Sequence, residues 1–149
     1  MSEGRKLSRQ EIIAETLSWL GTPYRHQASL KGVGCDCLGL MRGVWRSCIG
    51  AEPEEIVPYT PDWAEAGGGE PLAATARRHM DEIAVAAAAP GDALLFRWRS
   101  GLPAKHAGIL VAADRFVHAH QGAVVAPAAY SRWWRAHAAY AFRFPGLTD

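Results

Sequence analysis

Residues 34–50 read GCDCLGLMRGVWRSCIG, and this stretch decides the fold. From Cys37 onward Leu40, Met41, Val44, Trp45, Cys48 and Ile49 recur with a 3.6-residue period, and Gly50 follows as a stop, so the segment is a buried helix. Asp36 stands where a helix N-cap belongs, because its short carboxylate can accept from the orphan N–H groups of the first turn. Gly39 and Gly43 lie inside the helix although each costs roughly 1 kcal/mol relative to Ala. Glycines tolerated at that cost mark places where another part of the chain comes close. The result is a loop that turns into a helix with a thiol, Cys37, at its first turn.

Upstream, Ser8 followed by Glu11 matches a capping box, and Ile13, Leu17 and Leu20 recur at i, i+4, i+7 until Gly21 and Pro23 break the pattern. Residues 9–20 are therefore expected to form an amphipathic helix. Downstream, residues 51–69 hold three prolines, five acidic residues and a glycine triplet, and read as a long loop. A short helix around 70–80 follows. After the turn at Pro90-Gly91-Asp92, the segments 93–98, 105–112, 115–120, 122–125 and 139–144 read as short strands, with a helical turn or two over 127–136. Two helices followed by a run of strands give an α+β class.

The chain of 149 residues fits a single domain over 1–149, with no internal repeat or low-complexity linker to divide it. A formal net charge of +1 argues against a broad nucleic-acid footprint, which rests on many unbalanced cations. The first twenty residues lack an uninterrupted apolar core, so no signal peptide and no membrane span are expected, and synthesis in the cytoplasm is. Three cysteines, two of them only two residues apart, do not make a disulfide framework.

Thiol chemistry is the activity for which the residues are suited. At a helix N-terminus, free N–H groups and the positive end of the dipole favour a thiolate and can face a developing oxyanion. His106, on the predicted strand 105–112, can take the thiol proton and return it to a leaving amine. His118 lies across a tight turn at Ala113-Asp114, on the neighbouring strand, where it can orient His106 through the second ring nitrogen. His120 shares its face and competes for that role. Cys48 belongs to the buried stripe, and neither Cys35 nor His26, His79 and His137 has a pattern that recommends it. Cys-x-Cys and His-x-His lack the paired spacing of common structural zinc sites, so neither metal nor cofactor is expected.

GTPY at 21–24, Asp-Cys-x-Gly at 36–39, PGD at 90–92, His-x-Gly-Ile at 106–109 and Val-His-Ala at 117–119 together resemble the NlpC-type cell-wall peptidases, a papain-like family. GTPYRHQASLKGVGCDCLGL and the PYTPDW run at 58–63 are similar, more narrowly, to small peptidases encoded with phage tails and gene transfer agents. The resemblance implies a papain-like fold, with the catalytic helix packed on a small antiparallel sheet. It also implies roles: Cys37 attacks the scissile carbonyl, His106 is the base and His118 the orienting residue, while Tyr24 and Asp36 serve the oxyanion or the substrate. The implied substrate is the D-glutamyl-diamino-acid bond of the peptidoglycan stem peptide. Tail-tip or baseplate hub proteins would be partners, with action in the periplasm of a target cell from a carrying particle. The alternative is a structural or plug protein of such a tail with weak or no activity. One departure concerns specificity: the family commonly has Ser after the nucleophile, where this chain has Leu38.

Without the resemblance, Asp36 needs no role beyond capping, Tyr24 none beyond closing a turn, and Asp92 none beyond fixing one. Trp63 and Trp98 are candidates to line a cleft.

Overall fold

The computed structural model describes residues 7–54 and 69–148. Helix α1 (Arg9–Leu17) starts at the expected capping box: Ser8 Oγ accepts from Glu11 N at 3.1 Å, and Ser8 N donates to Glu11 Oε1 at 3.3 Å. Its buried stripe is displaced by one residue from the expected one. Ile12, Thr16 and, just beyond the helix, Trp19 are buried, whereas Leu17 and Leu20 are exposed. The i, i+4, i+7 spacing holds, but Thr16 supplies the middle position by donating its hydroxyl to Ile12 O at 2.7 Å. That bond satisfies a polar group which hydropathy assigns to solvent.

A two-residue hairpin, β1 (Ser29–Leu30) and β2 (Gly34–Cys35), leads into α2 (Cys37–Cys48). Leu40, Val44 and Cys48 of α2 are buried, with Met41, Trp45 and Ile49 packed beside them. The glycines explain themselves. A Cβ on Gly39 would stand 1.9 Å from Ala28 O, and one on Gly43 would stand 1.9 Å from Trp19 Cζ2. Gly39 thus admits the backbone of the preceding loop, and Gly43 admits the Trp19 ring that ties α1 to α2.

Helix α3 (Pro71–His79) begins on a proline, as suits the first helical position. Strands β3 (Asp81–Ile83), β4 (Ala93–Phe96), β5 (His106–Ala112), β6 (Arg115–His118), β7 (Ala126–Ala129) and β8 (Ala138–Arg143) form one antiparallel sheet in the order β3-β8-β4-β5-β6-β7. Helix α4 (Arg132–His137) precedes β8. Among the described residues the architecture is α+β. The expected strand at 122–125 is corrected: these residues bridge to 21–24 instead, and the edge strand is β7, which contains Pro127. Helical structure expected from 127 starts only at Arg132.

Alternation on β4 and β5 sends side chains to two layers. Ala93, Leu95, Ala107 and Ile109 join the clusters beneath α1, α2 and α3, while Leu94, Phe96 and Leu110 pack with Phe116, Tyr130 and Trp134 on the other face. The PGD turn does more than reverse the chain. Asp92 is fully buried and accepts from Arg9 Nη1 at 3.0 Å, Arg143 Nη2 at 3.0 Å and Ala89 N at 2.9 Å. It thereby ties the start of α1 to β8.

Candidate active site

Asp36 fixes the start of α2 from two sides. Its Oδ1 accepts from Gly39 N at 2.7 Å, which is the N-cap bond, and its Oδ2 accepts from Gln27 N at 2.7 Å, which holds the 25–28 turn against the helix. The side chain is buried, and His26 Nδ1 stands 3.9 Å from Oδ2. Tyr24 is held by the GTPY segment, where Gly21 N donates to Val125 O at 2.9 Å and Tyr24 N donates to Ala123 O at 3.1 Å.

Cys37 is the first residue of α2, half-buried, with Sγ 3.9 Å from Lys105 O, the residue before β5. His106 opens β5 and is buried; its Nε2 lies 2.8 Å from His118 Nδ1 at the end of β6. The pairing of Gly108 with His118 makes His106 and His118 diagonal neighbours on one face of the sheet. A cavity of about 420 Å³ opens at this end of the sheet, lined by Tyr24, His26, Asp36, Cys37, Leu38, Leu72, Trp98, Lys105, His106, Ala119, His120 and Gln121. Cys37, His106, Tyr24 and Asp36 therefore meet in one cavity, and His118 stands behind His106, outside it.

Trp98 stacks on His106, with ring centroids 5.2 Å apart and planes inclined by 27°. Trp134 packs edge-on to His118 and Phe116 and lies against Trp98, with ring centroids 5.8 Å apart. The histidine pair thus sits in an aromatic frame. Burial, with His118 and His120 as neighbours, holds the His106 imidazole well below its ordinary value, and burial and His120 bring His118 to about 4. Both rings are neutral at pH 7. Burial and the Asp36 carboxylate push the Cys37 thiol up to about 12, against which the backbone amides of Ala107, Leu38 and Cys37 pull it down. The helix terminus alone does not make a resting thiolate here, contrary to the expectation from sequence. A neutral thiol needs a base. Burial and the neighbouring acidic groups likewise lift Tyr24 to about 12, which keeps its phenol a hydrogen-bond donor.

Cys35 and Cys48 are buried, and Cys35 is pushed up to about 12 by burial and by Asp36. Trp98 lines the cavity as expected of a cleft residue, whereas Trp63 lies outside the described residues. His26, Lys105 and Gln121 line it without having been expected. His26 had one available signal, its position two residues after Tyr24 on the same loop. Leu38 and Leu72 also border a second, apolar cavity that includes Met41, Met80 and Phe144. Although neither Cys-x-Cys nor His-x-His has the paired spacing of a common zinc site, the sheet gathers His106, His118 and His120, with one ring nitrogen from each within 4.8 Å of the others.

A helix whose first residue is a cysteine, packed on an antiparallel sheet whose strand β5 opens on a histidine lining the same cavity, is the arrangement of a papain-like fold. The NlpC/P60 family profile matches residues 21–143, and the chain belongs to that family, whose members are cysteine peptidases and peptidoglycan hydrolases. Among solved structures, the NlpC/p60 domain of the peptidoglycan hydrolase SagA superposes with a TM-score of 0.63 at 24% identity, over 93% of this chain and 100% of that one. An NlpC/P60 protein from Bacillus cereus gives 0.66 at 17% identity, over 93% of this chain and 41% of that chain. NlpC2 from Trichomonas vaginalis gives 0.60 at 21%, over 95% and 48%. These likenesses show the fold. No curated protein matches the sequence.

Proposed function

We propose that the chain is a peptidoglycan endopeptidase in which Cys37 is the nucleophile, His106 the base and His118 the residue that orients it. The observation that carries this reading is the opening of Cys37 and His106 on one cavity while His106 Nε2 is taken up by His118 Nδ1 at 2.8 Å. With Nε2 occupied, Nδ1 of His106 is the nitrogen left for the thiol. For Nδ1 to accept a proton, the resting hydrogen of His106 must be on Nε2 and donated to His118, which in turn carries its own hydrogen on Nε2. His118 therefore selects the tautomer that makes His106 a base.

In the first step His106 Nδ1 takes the thiol proton as sulfur attacks the scissile carbonyl carbon. Negative charge moves to the carbonyl oxygen, and the N–H of Cys37, in the first turn of α2, and the Tyr24 hydroxyl are suited to receive it. The C–N bond then breaks as His106 returns its proton to the amine. Water, deprotonated by the same ring, hydrolyses the thioester and restores the thiol. Trp98 stacked on His106 restricts water around the base and holds the ring plane.

The substrate reading, the D-glutamyl-diamino-acid bond of stem peptides, is supported by the family and by the polar contributions of Tyr24, Asp36 and Lys105 to the cavity. Leu38, where the family commonly has Ser, makes one wall of that cavity apolar and predicts slow turnover of free stem peptide. Delivery by a phage-like particle, with tail-tip proteins as partners, rests on the sequence resemblance; tethering at the wall would raise local concentration enough to offset slow turnover. The test is mass spectrometry of stem peptides after incubation. New amino-terminal diamino-acid fragments are expected, absent with Cys37→Ala. Intact peptides at high enzyme concentration would reject the activity and leave a non-enzymatic tail role.

A further inference from the structure

The geometry points to a transition-metal site formed by His106, His118 and His120, at which a bound cation switches the enzyme off from behind its base. One ring nitrogen of each histidine lies within 4.8 Å of the other two. The ring centroids are 5.0 Å apart for His106 and His118, 5.7 Å for His106 and His120, and 5.7 Å for His118 and His120. His106 and His118 are held by the sheet and the aromatic frame; His120 is exposed and lines the cavity, which gives a cation an entry route.

The 2.8 Å between His106 Nε2 and His118 Nδ1 is spanned by a single proton. Tetrahedral nitrogen ligands at about 2.0–2.1 Å from zinc lie roughly 3.3–3.4 Å apart. Replacing the proton by a cation therefore asks these two rings to separate by about half an ångström, and asks exposed His120 to swing in as the third ligand. Three imidazoles select zinc, copper or nickel rather than magnesium or calcium, which prefer oxygen. Water completes the coordination.

The consequence for the base follows from the tautomer. A metal on His106 Nε2 displaces that proton, and the neutral ring then carries its hydrogen on Nδ1. The lone pair that accepts the Cys37 proton is gone. Inhibition of this kind leaves the thiol free, unlike capture of the thiolate by metal, and it reverses when the cation is removed. Binding rests on the histidine geometry alone; the inhibitory consequence rests also on the peptidase reading.

The experiment titrates cobalt(II) into the Cys37→Ala protein, which lacks the competing thiolate, and follows the visible ligand-field absorption. One equivalent is expected to bind with a dissociation constant in the micromolar range or below, and His120→Ala, which alters an exposed side chain, is expected to weaken it at least tenfold. Thermal melts confirm that both variants are folded. Absence of cobalt binding to Cys37→Ala would overturn the site. So would affinity unchanged by His120→Ala, or a sulfur-to-cobalt charge-transfer band in the parent as the sole signature. In the parent, zinc is expected to inhibit stem-peptide hydrolysis reversibly, with EDTA restoring the rate. Cobalt binding without zinc inhibition would overturn the switch while leaving the site.

Discussion

Replacing Asp36 by Asn separates a simple helix cap from a two-sided clamp. At an ordinary N-cap, Asp and Asn are nearly equivalent, because one side-chain oxygen accepting one N–H suffices. At Asp36 both oxygens are used: Oδ1 by Gly39 N and Oδ2 by Gln27 N, each at 2.7 Å, and the side chain is buried. Either orientation of an asparagine amide would point its NH₂ at one of these N–H groups. One charge-assisted bond of about 1.5–3 kcal/mol is lost, and a buried backbone donor is left facing another donor. Relaxation of the 25–28 turn recovers part of this, so a loss of about 2–4 kcal/mol is expected. For a chain of this length that lowers Tm by roughly 5–15 °C. Displacing the first turn of α2 also moves Cys37, and an ångström of misplacement costs about a hundredfold in rate. Thermal unfolding followed by circular dichroism, with kcat/KM on a stem peptide, reads both effects. A Tm within 2 °C of the parent value would refute the clamp and reduce Asp36 to a cap.

Gly43→Ala should destabilise the fold by about 1–3 kcal/mol despite better helix propensity, because its Cβ would fall 1.9 Å from the buried Trp19 ring; chemical denaturation measures it. Asp92→Ala should cost about 3 kcal/mol in the same assay, since Arg9 and Arg143 lose a fully buried partner. The folded pKa of His118, about 4, lies below its ordinary 6.5, so the unfolded chain takes up the proton first as pH falls. Stability is full above about 6.5 and declines towards pH 4; Tm measured between pH 7 and 5 should fall less steeply in His118→Gln than in the parent. Leu38→Ser should raise kcat/KM on free stem peptides by making the cavity wall polar; a fall would mean that Leu38 recognises an apolar feature of a different wall peptide.

The parts of the fold legible in sequence are those with local causes. The capping box at Ser8 and Glu11, the period of α2, and Asp36 before Cys37 express interactions within one turn. The α1 stripe lies one residue from the one hydropathy predicts because Thr16 buries its hydroxyl on its own helix, a bond that hydropathy does not register. Val125 is buried and Val124 exposed, an alternation that mimics a strand, yet their partners are Thr22 and Pro23 rather than a sheet neighbour. The β1–β2 hairpin is too short to show a period. At the site, Cys37 could be singled out from its helix start. The contact of His106 with His118 depends on register across a turn, and the convergence of His120, Trp98 and His26 depends on where the sheet ends, which no local pattern states.

The most direct test of the central claim is acid-quench mass spectrometry of the intact protein mixed with stem peptide. A thioester-linked acyl fragment is expected on Cys37, mapped there after digestion. It should be absent from Cys37→Ala and strongly reduced in His106→Ala, because the thiol, pushed up to about 12, needs a base to lose its proton. Hydrolysis that proceeds with no adduct on Cys37, and that survives in Cys37→Ala, would contradict the account.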